Sequence, residues 1–186
     1  MDDLKRLVEA FIFAADSPLS LDRLSTFLEQ PKATLRPIVL ELQQEYGSEK
    51  HGFFLAEVAG GYQFRTSEEF APSLRKLNRT RAPRFSRAAL ETLAIVAYRQ
   101  PATRAEIEYL RGVDSGGVMK TLLDKSLLRI LGKKDIPGRP LMYGTSRQFL
   151  ELFGLRDLND LPTLKEFAAL APELEEAYPL NPDQVD

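Results

Sequence analysis

Leu90-Glu-Thr-Leu-Ala-Ile-Val-Ala-Tyr-Arg-Gln-Pro101 is the stretch that most restricts what this chain can become. It reads as a buried helix stopped by a proline: Leu90, Leu93, Ala94 and Ala97 mark one face, and Ile95 and Val96 widen it. Ser86 is placed to cap that helix, with Phe85 and Leu90 spaced for a hydrophobic staple. Thr103-Arg-Ala-Glu106 is a capping-box pattern opening a second helix, with Ile107 and Leu110 turned inward and Gly112 as its stop. Ser115 can cap a third helix bearing Val118, Leu122 and Leu123. Leu127 to Leu131 and Leu141 to Thr145 read as strands around a long turn, and Ser146 caps a helix with Phe149, Leu150 and Phe153 that Gly154 ends. Three helices followed by a hairpin is the order of a winged helix-turn-helix.

The first half repeats this plan. Leu4, Leu7, Val8, Phe11, Ile12 and Ala15 recur at helical spacing, while Phe13 falls off that stripe. Ordinary burial rates favour wider core contact for Phe13 over a subunit interface. Ser20 can cap a second helix with Leu21, Leu24, Phe27 and Leu28 on its apolar face, ended by Pro31. Leu35, Ile38, Val39, Leu42 and Tyr46 form a third helix, in which Pro37 is expected to lie in the first turn. Phe53 to Ala59 and Tyr62 to Ser67 flank Gly60-Gly61 as a hairpin, and Phe70, Leu74 and Leu77 suggest a short closing helix. Ser17-Pro-Leu-Ser20 aligns with Gln100-Pro-Ala-Thr103, and Leu24 and Phe27 align with Ile107 and Leu110. The expected fold class is therefore mainly α with small β-hairpins (α+β), as two tandem winged helix-turn-helix domains. Residues 1–77 form the first, 78–85 a basic linker, 86–170 the second with a helical extension, and 171–186 an acidic flexible tail.

Charge is segregated along the chain. Residues 1–74 carry a net −5, residues 75–87 hold six bases and no acid, residues 99–147 carry +5, and residues 148–186 carry −7. A basic middle between acidic ends suits an acidic protein, a nucleic acid or the chain's own tail, or simply solvated faces. There is no cysteine, hence no disulfide, thiolate metal site or cysteine nucleophile. The acidic start, Met1-Asp-Asp-Leu-Lys-Arg6, is unlike a signal peptide. The longest apolar runs, Ala10 to Ala15 and Leu93 to Tyr98, are far short of the ~20 residues of a membrane span.

Signals of catalysis are missing from the sequence. His51, the single histidine, sits in a polar loop, and there is no nucleophile elbow or histidine cluster for a metal. Glu106 and Glu108 stand two apart on a helix and cannot act as a pair. No enzyme, cofactor or metal is expected. DNA binding is the competing reading, as in a winged-helix transcriptional regulator. The third helix opens Ser115-Gly-Gly-Val-Met-Lys120, where only Lys120 suits base readout, and Lys133, Lys134 and Arg139 in the wing suit phosphate. Any DNA contact should be weak, nonspecific and salt-sensitive, with Lys120, Lys133 and Lys134 as its phosphate contacts. The wing also reads as a protein-docking element: Pro137 and Pro140 stiffen it, and Ile136, Leu141 and Met142 add apolar surface. Pro-Gly-Arg-Pro equally serves as plain turn chemistry.

Residues 86–154 closely resemble the C-terminal winged-helix domain of bacterial segregation and condensation protein B, the ScpB family. The matching stretches are Ser86 to Pro101, Thr103-Arg-Ala-Glu-Ile107, Arg111-Gly-Val-Asp-Ser-Gly-Gly117, Asp135-Ile-Pro-Gly-Arg-Pro140 and Tyr143-Gly-Thr145. Residues 4–77 match mainly in pattern, through Glu9-Ala-Phe-Ile-Phe-Ala-Ala15 and Pro18-Leu-Ser20. The resemblance implies a non-enzymatic subunit of the bacterial SMC condensin, acting in chromosome condensation and segregation in the cytoplasm at the nucleoid. It implies a homodimer formed through the N-terminal domain, with Phe11 and Phe13 as candidate dimer residues. It also implies binding to the kleisin subunit, segregation and condensation protein A, and through it to the SMC ATPase. Leu90, Leu93, Ala97, Arg99, Ile136, Pro137, Arg139 and Pro140 are the candidate kleisin residues.

Overall fold

The computed structural model describes residues 2–47, 50–78, 85–163 and 166. The first unit opens with α1 (Asp2–Ala14), α2 (Leu21–Leu28) and α3 (Lys32–Glu45). Ser20 caps α2 as expected, its hydroxyl accepting the Arg23 N–H at 3.3 Å. One residue from every turn points inward, so Val8, Leu24, Leu35, Val39 and Leu42 are wholly buried in a single core with Ile12, Leu19, Leu55 and Tyr62. The hairpin of β1 (Phe53–Val58) and β2 (Gly61–Thr66) packs on these helices, and α4 (Ala71–Asn78) follows a 3-10 turn at Glu68–Phe70.

The second unit repeats that order with one added strand: α5 (Arg87–Arg99), β3 (Ala102–Thr103), α6 (Arg104–Arg111), α7 (Gly116–Asp124), β4 (Leu128–Lys133), β5 (Leu141–Thr145) and α8 (Arg147–Phe153). Its sheet runs antiparallel in the order β3-β5-β4. Val96, Ile107 and Leu122 are its fully buried centre, surrounded by Leu93, Ala102, Met119, Leu127, Leu128 and Phe149. Ser86 caps α5 by accepting the Ala89 N–H, and Thr103 and Glu106 close the capping box on α6. Gln100 clamps the end of α5 to the wing, accepting the Thr145 N–H at 2.8 Å.

The two halves correspond in three dimensions. Leu19 forms an isolated bridge with Tyr62, and Ala102 pairs with Tyr143 in the same place. Tyr62 therefore answers to Tyr143 in the second unit. Pairing on the preceding strand sets that register, not side-chain similarity.

Several expectations change. The first hairpin turns at Ala59-Gly60, with φ of 51° and 69°, and Gly61 belongs to β2 opposite Val58. Two consecutive left-handed residues match the strand twist, as in a type I′ turn. α3 begins at Lys32, so Pro37 lies beyond the first turn. Ser115 does not cap α7; its own N–H donates to Glu108 at 3.0 Å, and Asp114 accepts the Gly116 N–H instead. Leu110 and Phe27, paired by the repeat, are both about half exposed, at 50% and 54%. The linker at 78–85 falls almost wholly outside the described residues, and the tail at 171–186 entirely so.

Among the described residues, four hydrogen bonds join the units. The Ala59 and Gly60 N–H groups donate to the Leu155 and Arg156 carbonyls at 2.8 and 3.0 Å. Arg65 donates to the Glu151 carbonyl at 2.7 Å, and Arg147 to the Pro18 carbonyl. Among the described residues no helix is long and apolar enough to cross a membrane.

Candidate functional site

Three exposed apolar surfaces carry what the sequence left open. The first lies on α1. Residues 7, 10 and 13 share a side of that helix away from the core stripe, leaving Leu7 46% and Phe13 76% exposed. They meet Tyr46, Phe53 and Phe64 across a shallow groove of about 600 Å³. Phe13 stands edge-on to Phe64 at 6.2 Å, and Phe64 in turn to Tyr46 and Phe53. Core contact for Phe13, favoured by burial rates, is thus not what the fold does with it. Phe11 lies on another side of α1, tilted against Phe27 at 6.2 Å, so the two candidate dimer residues do not share a surface. Tyr46 donates its hydroxyl to the Glu9 carboxylate at the groove edge. That bond favours the neutral phenol and pushes its pKa up to about 12.

The second surface sits where α5 meets α6. Arg99, Pro101, Ala102, Ala105, Glu106, Tyr109 and Leu110 line a groove of about 500 Å³. Tyr109 is 87% exposed and falls off the Ile107 stripe, so helical periodicity gives no signal for it. The wing is tied to this region by Lys134, which donates to Glu106 at 2.5 Å. Ile136, Pro137 and Arg139 stand exposed at the wing tip, with Pro140 half-buried. Gly138 and Arg139 both have positive φ, 82° and 40°, so the tip is a tight bend held by the Arg139 N–H on the Ile136 carbonyl.

The third surface is an apolar groove of about 350 Å³ between α5 and α8. Leu93 and Ala97 are buried and form its floor; Leu90, Tyr98, Phe153 and Leu161 form its walls. The candidate kleisin residues therefore do not share one surface, and the wing residues Ile136, Pro137, Arg139 and Pro140 line neither groove. Leu90, Leu93 and Ala97 go to this one, and Arg99 to the groove beside Tyr109.

The N-terminus of α7, the end that would read DNA bases, is covered. Arg104 lies against Gly116, where a Cβ would come within 2.7 Å of its guanidinium carbon. Arg104 pairs with Glu108 at 2.6 Å and also with Asp114. Two carboxylates already occupy the positive helix end and would repel a phosphate there. Lys120 stays exposed one turn further on, Lys133 is exposed, and Lys134 is engaged with Glu106. Among the described residues no cluster of acidic or histidine side chains could hold a metal.

Glu106 is the most strongly shifted acid of this region. Lys134 and the Thr103 N–H and hydroxyl all donate to its carboxylate and pull its pKa down to about 2. A depressed folded-state pKa adds stability above the unfolded value of about 4.3, lost as pH falls through the folded value. Glu106→Gln is therefore expected to be less stable than the native chain at pH 6, with the gap closing between about pH 4.5 and 2. Urea midpoints across that range measure it; a constant gap would mean the charge contributes nothing.

The family model for the segregation and condensation complex subunit ScpB matches residues 6–164. Segregation and condensation protein B of Syntrophotalea carbinolica is 58% identical over 173 residues, covering 93% of this chain and 88% of that protein. The crystal structure of ScpB from Mycobacterium tuberculosis, at 36% identity, covers 83% of this chain and 96% of that one, with a TM-score of 0.39. A solved dimer of a ScpB N-terminal domain with a ScpA peptide, also at 36% identity, covers 41% of this chain and 95% of its own, with a TM-score of 0.38.

Proposed function

Because the chain belongs to the ScpB family of segregation and condensation complex subunits, we propose that it is a non-enzymatic homodimer that binds the kleisin subunit and joins it to the SMC ATPase. The observation that carries the dimer is the aromatic face of α1. A side chain as large as Phe13 left 76% exposed beside Leu7, Phe53 and Phe64 is the kind of surface a partner covers. A second copy of the same helix face makes an isologous contact in which each Phe13 meets the other's apolar groove. Phe11 supports that helix from behind through Phe27.

For kleisin, the second unit offers several surfaces. Leu90, with Leu93 and Ala97 beneath it, offers an apolar groove for a helical or extended peptide. Arg99, in the groove with Tyr109 and Leu110, offers a second contact, and the pre-bent wing tip with Ile136, Pro137, Arg139 and Pro140 a third. The stiff wing tip loses little entropy on binding. The protein works in the cytoplasm at the nucleoid, and any DNA contact is weak and nonspecific. Base readout by α7 is disfavoured by the carboxylates at its N-terminus.

Solution mass by light scattering, alone and with a kleisin fragment, tests both halves. The native chain is expected at twice its monomer mass, and Phe13→Glu at the monomer mass with unchanged helical circular dichroism. Arg139→Glu is expected to remain dimeric and to bind kleisin about tenfold more weakly, the loss of one charged anchor. A native monomer that ignores kleisin would defeat the proposal.

A further inference from the structure

We infer that the outer edge of β4 is a docking strand, which takes an extended, acidic segment of a partner protein by strand addition. Any protein carrying such a segment would serve, so the docking does not rest on the kleisin reading given above.

The register of the sheet decides which backbone groups are free. β4 pairs with β5 on one side, and among the described residues no strand pairs with its other side. In an antiparallel ladder, successive residues of an edge strand turn their N–H and C=O alternately toward the partner and away from it. The Ser146 N–H donates to the Leu127 carbonyl at 3.1 Å, so Leu127 and Arg129 face β5, and Leu128 and Ile130 face outward. Beyond the bulge at Leu131, the Lys134 N–H donates to the Pro140 carbonyl at 2.8 Å, which turns the Lys133 backbone outward as well. An added strand would exchange one pair of hydrogen bonds with Leu128 and another with Ile130. The opposite edge of the sheet is closed, because the Thr103 N–H of β3 already donates to Glu106 at 2.7 Å.

Side chains and charge say what would add there. Ile130 and Leu131 stand 51% and 41% exposed, an apolar contact at the middle of the edge. Residues 125–134 hold four bases, Lys125, Arg129, Lys133 and Lys134, and no acid. Lys134 is engaged with Glu106, and Arg129 reaches across the sheet to the Thr145 carbonyl at 3.1 Å. Lys125 and Lys133 are exposed and have no ion-pair partner among the described residues. A second copy of this edge would set bases against bases. Duplex DNA could use the lysines, but neither the outward carbonyls nor the apolar side chains. An extended acidic segment uses all three: main-chain bonds supply affinity, and the lysines and Ile130 select the side chains.

The test adds a short synthetic peptide alternating glutamate with valine to the full chain and follows the backbone amide resonances of β4. The Leu128 and Ile130 amides are expected to shift, and at saturation to exchange with solvent about tenfold more slowly, because their protons become hydrogen-bonded. A fully N-methylated form of the peptide keeps the charges but cannot pair as a strand, and should leave both exchange rates unchanged. Lys125→Glu together with Lys133→Glu is expected to weaken the peptide about tenfold, with helical circular dichroism unchanged. No change at Leu128 and Ile130 up to about millimolar peptide overturns the docking. Equal binding of the N-methylated peptide also overturns it, by reducing the contact to charge alone. A short DNA duplex that shifts the same amides more strongly than the peptide assigns the edge to nucleic acid instead. Protection of these amides that grows with protein concentration, without peptide, assigns it to a second copy; either result sinks the acidic-strand assignment.

Discussion

Gly61→Ala is expected to cost the first unit about 2–3 kcal/mol, a large share of the stability of a domain this small. The added Cβ would stand 2.8 Å from the Pro18 carbonyl carbon and 2.9 Å from that of Leu19. Both atoms are backbone and cannot rotate away. The same backbone exchanges two hydrogen bonds with Tyr62, at 2.9 and 3.0 Å, so moving it would break the bridge that ties the α1–α2 connection to the hairpin. Chemical unfolding should show a lower midpoint with an unchanged slope. A midpoint equal to the native one would mean that the Pro18–Leu19 segment yields freely. Gly144 makes a useful contrast, because a Cβ there meets only the side-chain ends of Gln100 and Leu131.

Ile107→Ala should be at least as damaging in the second unit. Ile107 has no exposed surface and lies at the centre of the core between α5, α6 and α7. Removing its three outer carbons loses their transfer energy and leaves a cavity that the surrounding Leu93, Val96 and Leu122 cannot fill, about 2–5 kcal/mol in comparable cores. Calorimetry is expected to show this unit melting well below the native temperature. A drop of only a degree or two would mean that the second core is loose enough to collapse around the gap. Leu24 holds the corresponding place in the first unit and is buried as completely, so the repeat extends to the core.

Periodic burial was the most legible part of the sequence. Val8, Ile12, Leu24, Val39, Ile107 and Leu122 all fall on stripes visible in the chain, and the caps at Ser20, Ser86, Thr103 and Ser146 follow from local chemistry that needs no tertiary context. The misreadings arose where distant segments decide. Gly61 looks like a turn residue until the Pro18–Leu19 backbone is laid against it. Ser115 looks like a cap, but Glu108 and Asp114 reach the α7 terminus first because Arg104 holds them there. Phe27 and Leu110 continue apolar stripes, yet each stays about half exposed, Phe27 turned to Phe11 at the edge of its core.

The candidate site was legible in composition more than in geometry. The wing residues and Arg99 were visible as exposed, basic or stiff positions, but nothing in their spacing says that Leu90 opens onto α8 while Arg99 opens onto α6. Tyr109 carries no signal of its own in the sequence, because an exposed tyrosine off the apolar stripe has no periodicity. Phe13 was visible as a departure from its stripe, and only the placement of Phe53 and Phe64 beside it turns that departure into a surface.

Each of the four hydrogen bonds described between the units ends on a main-chain carbonyl: Leu155, Arg156, Glu151 and Pro18. A carbonyl is present whatever side chain stands at its position, so the receiving half of this contact is indifferent to mutation. Two of the donors are peptide N–H groups of the Ala59-Gly60 turn and are equally indifferent, provided the turn keeps its left-handed backbone. The mutational liability of the junction is thereby concentrated in Arg65 and Arg147. Substitutions across most of this contact should leave the halves docked alike, and a change at either arginine would loosen the junction while leaving both cores intact.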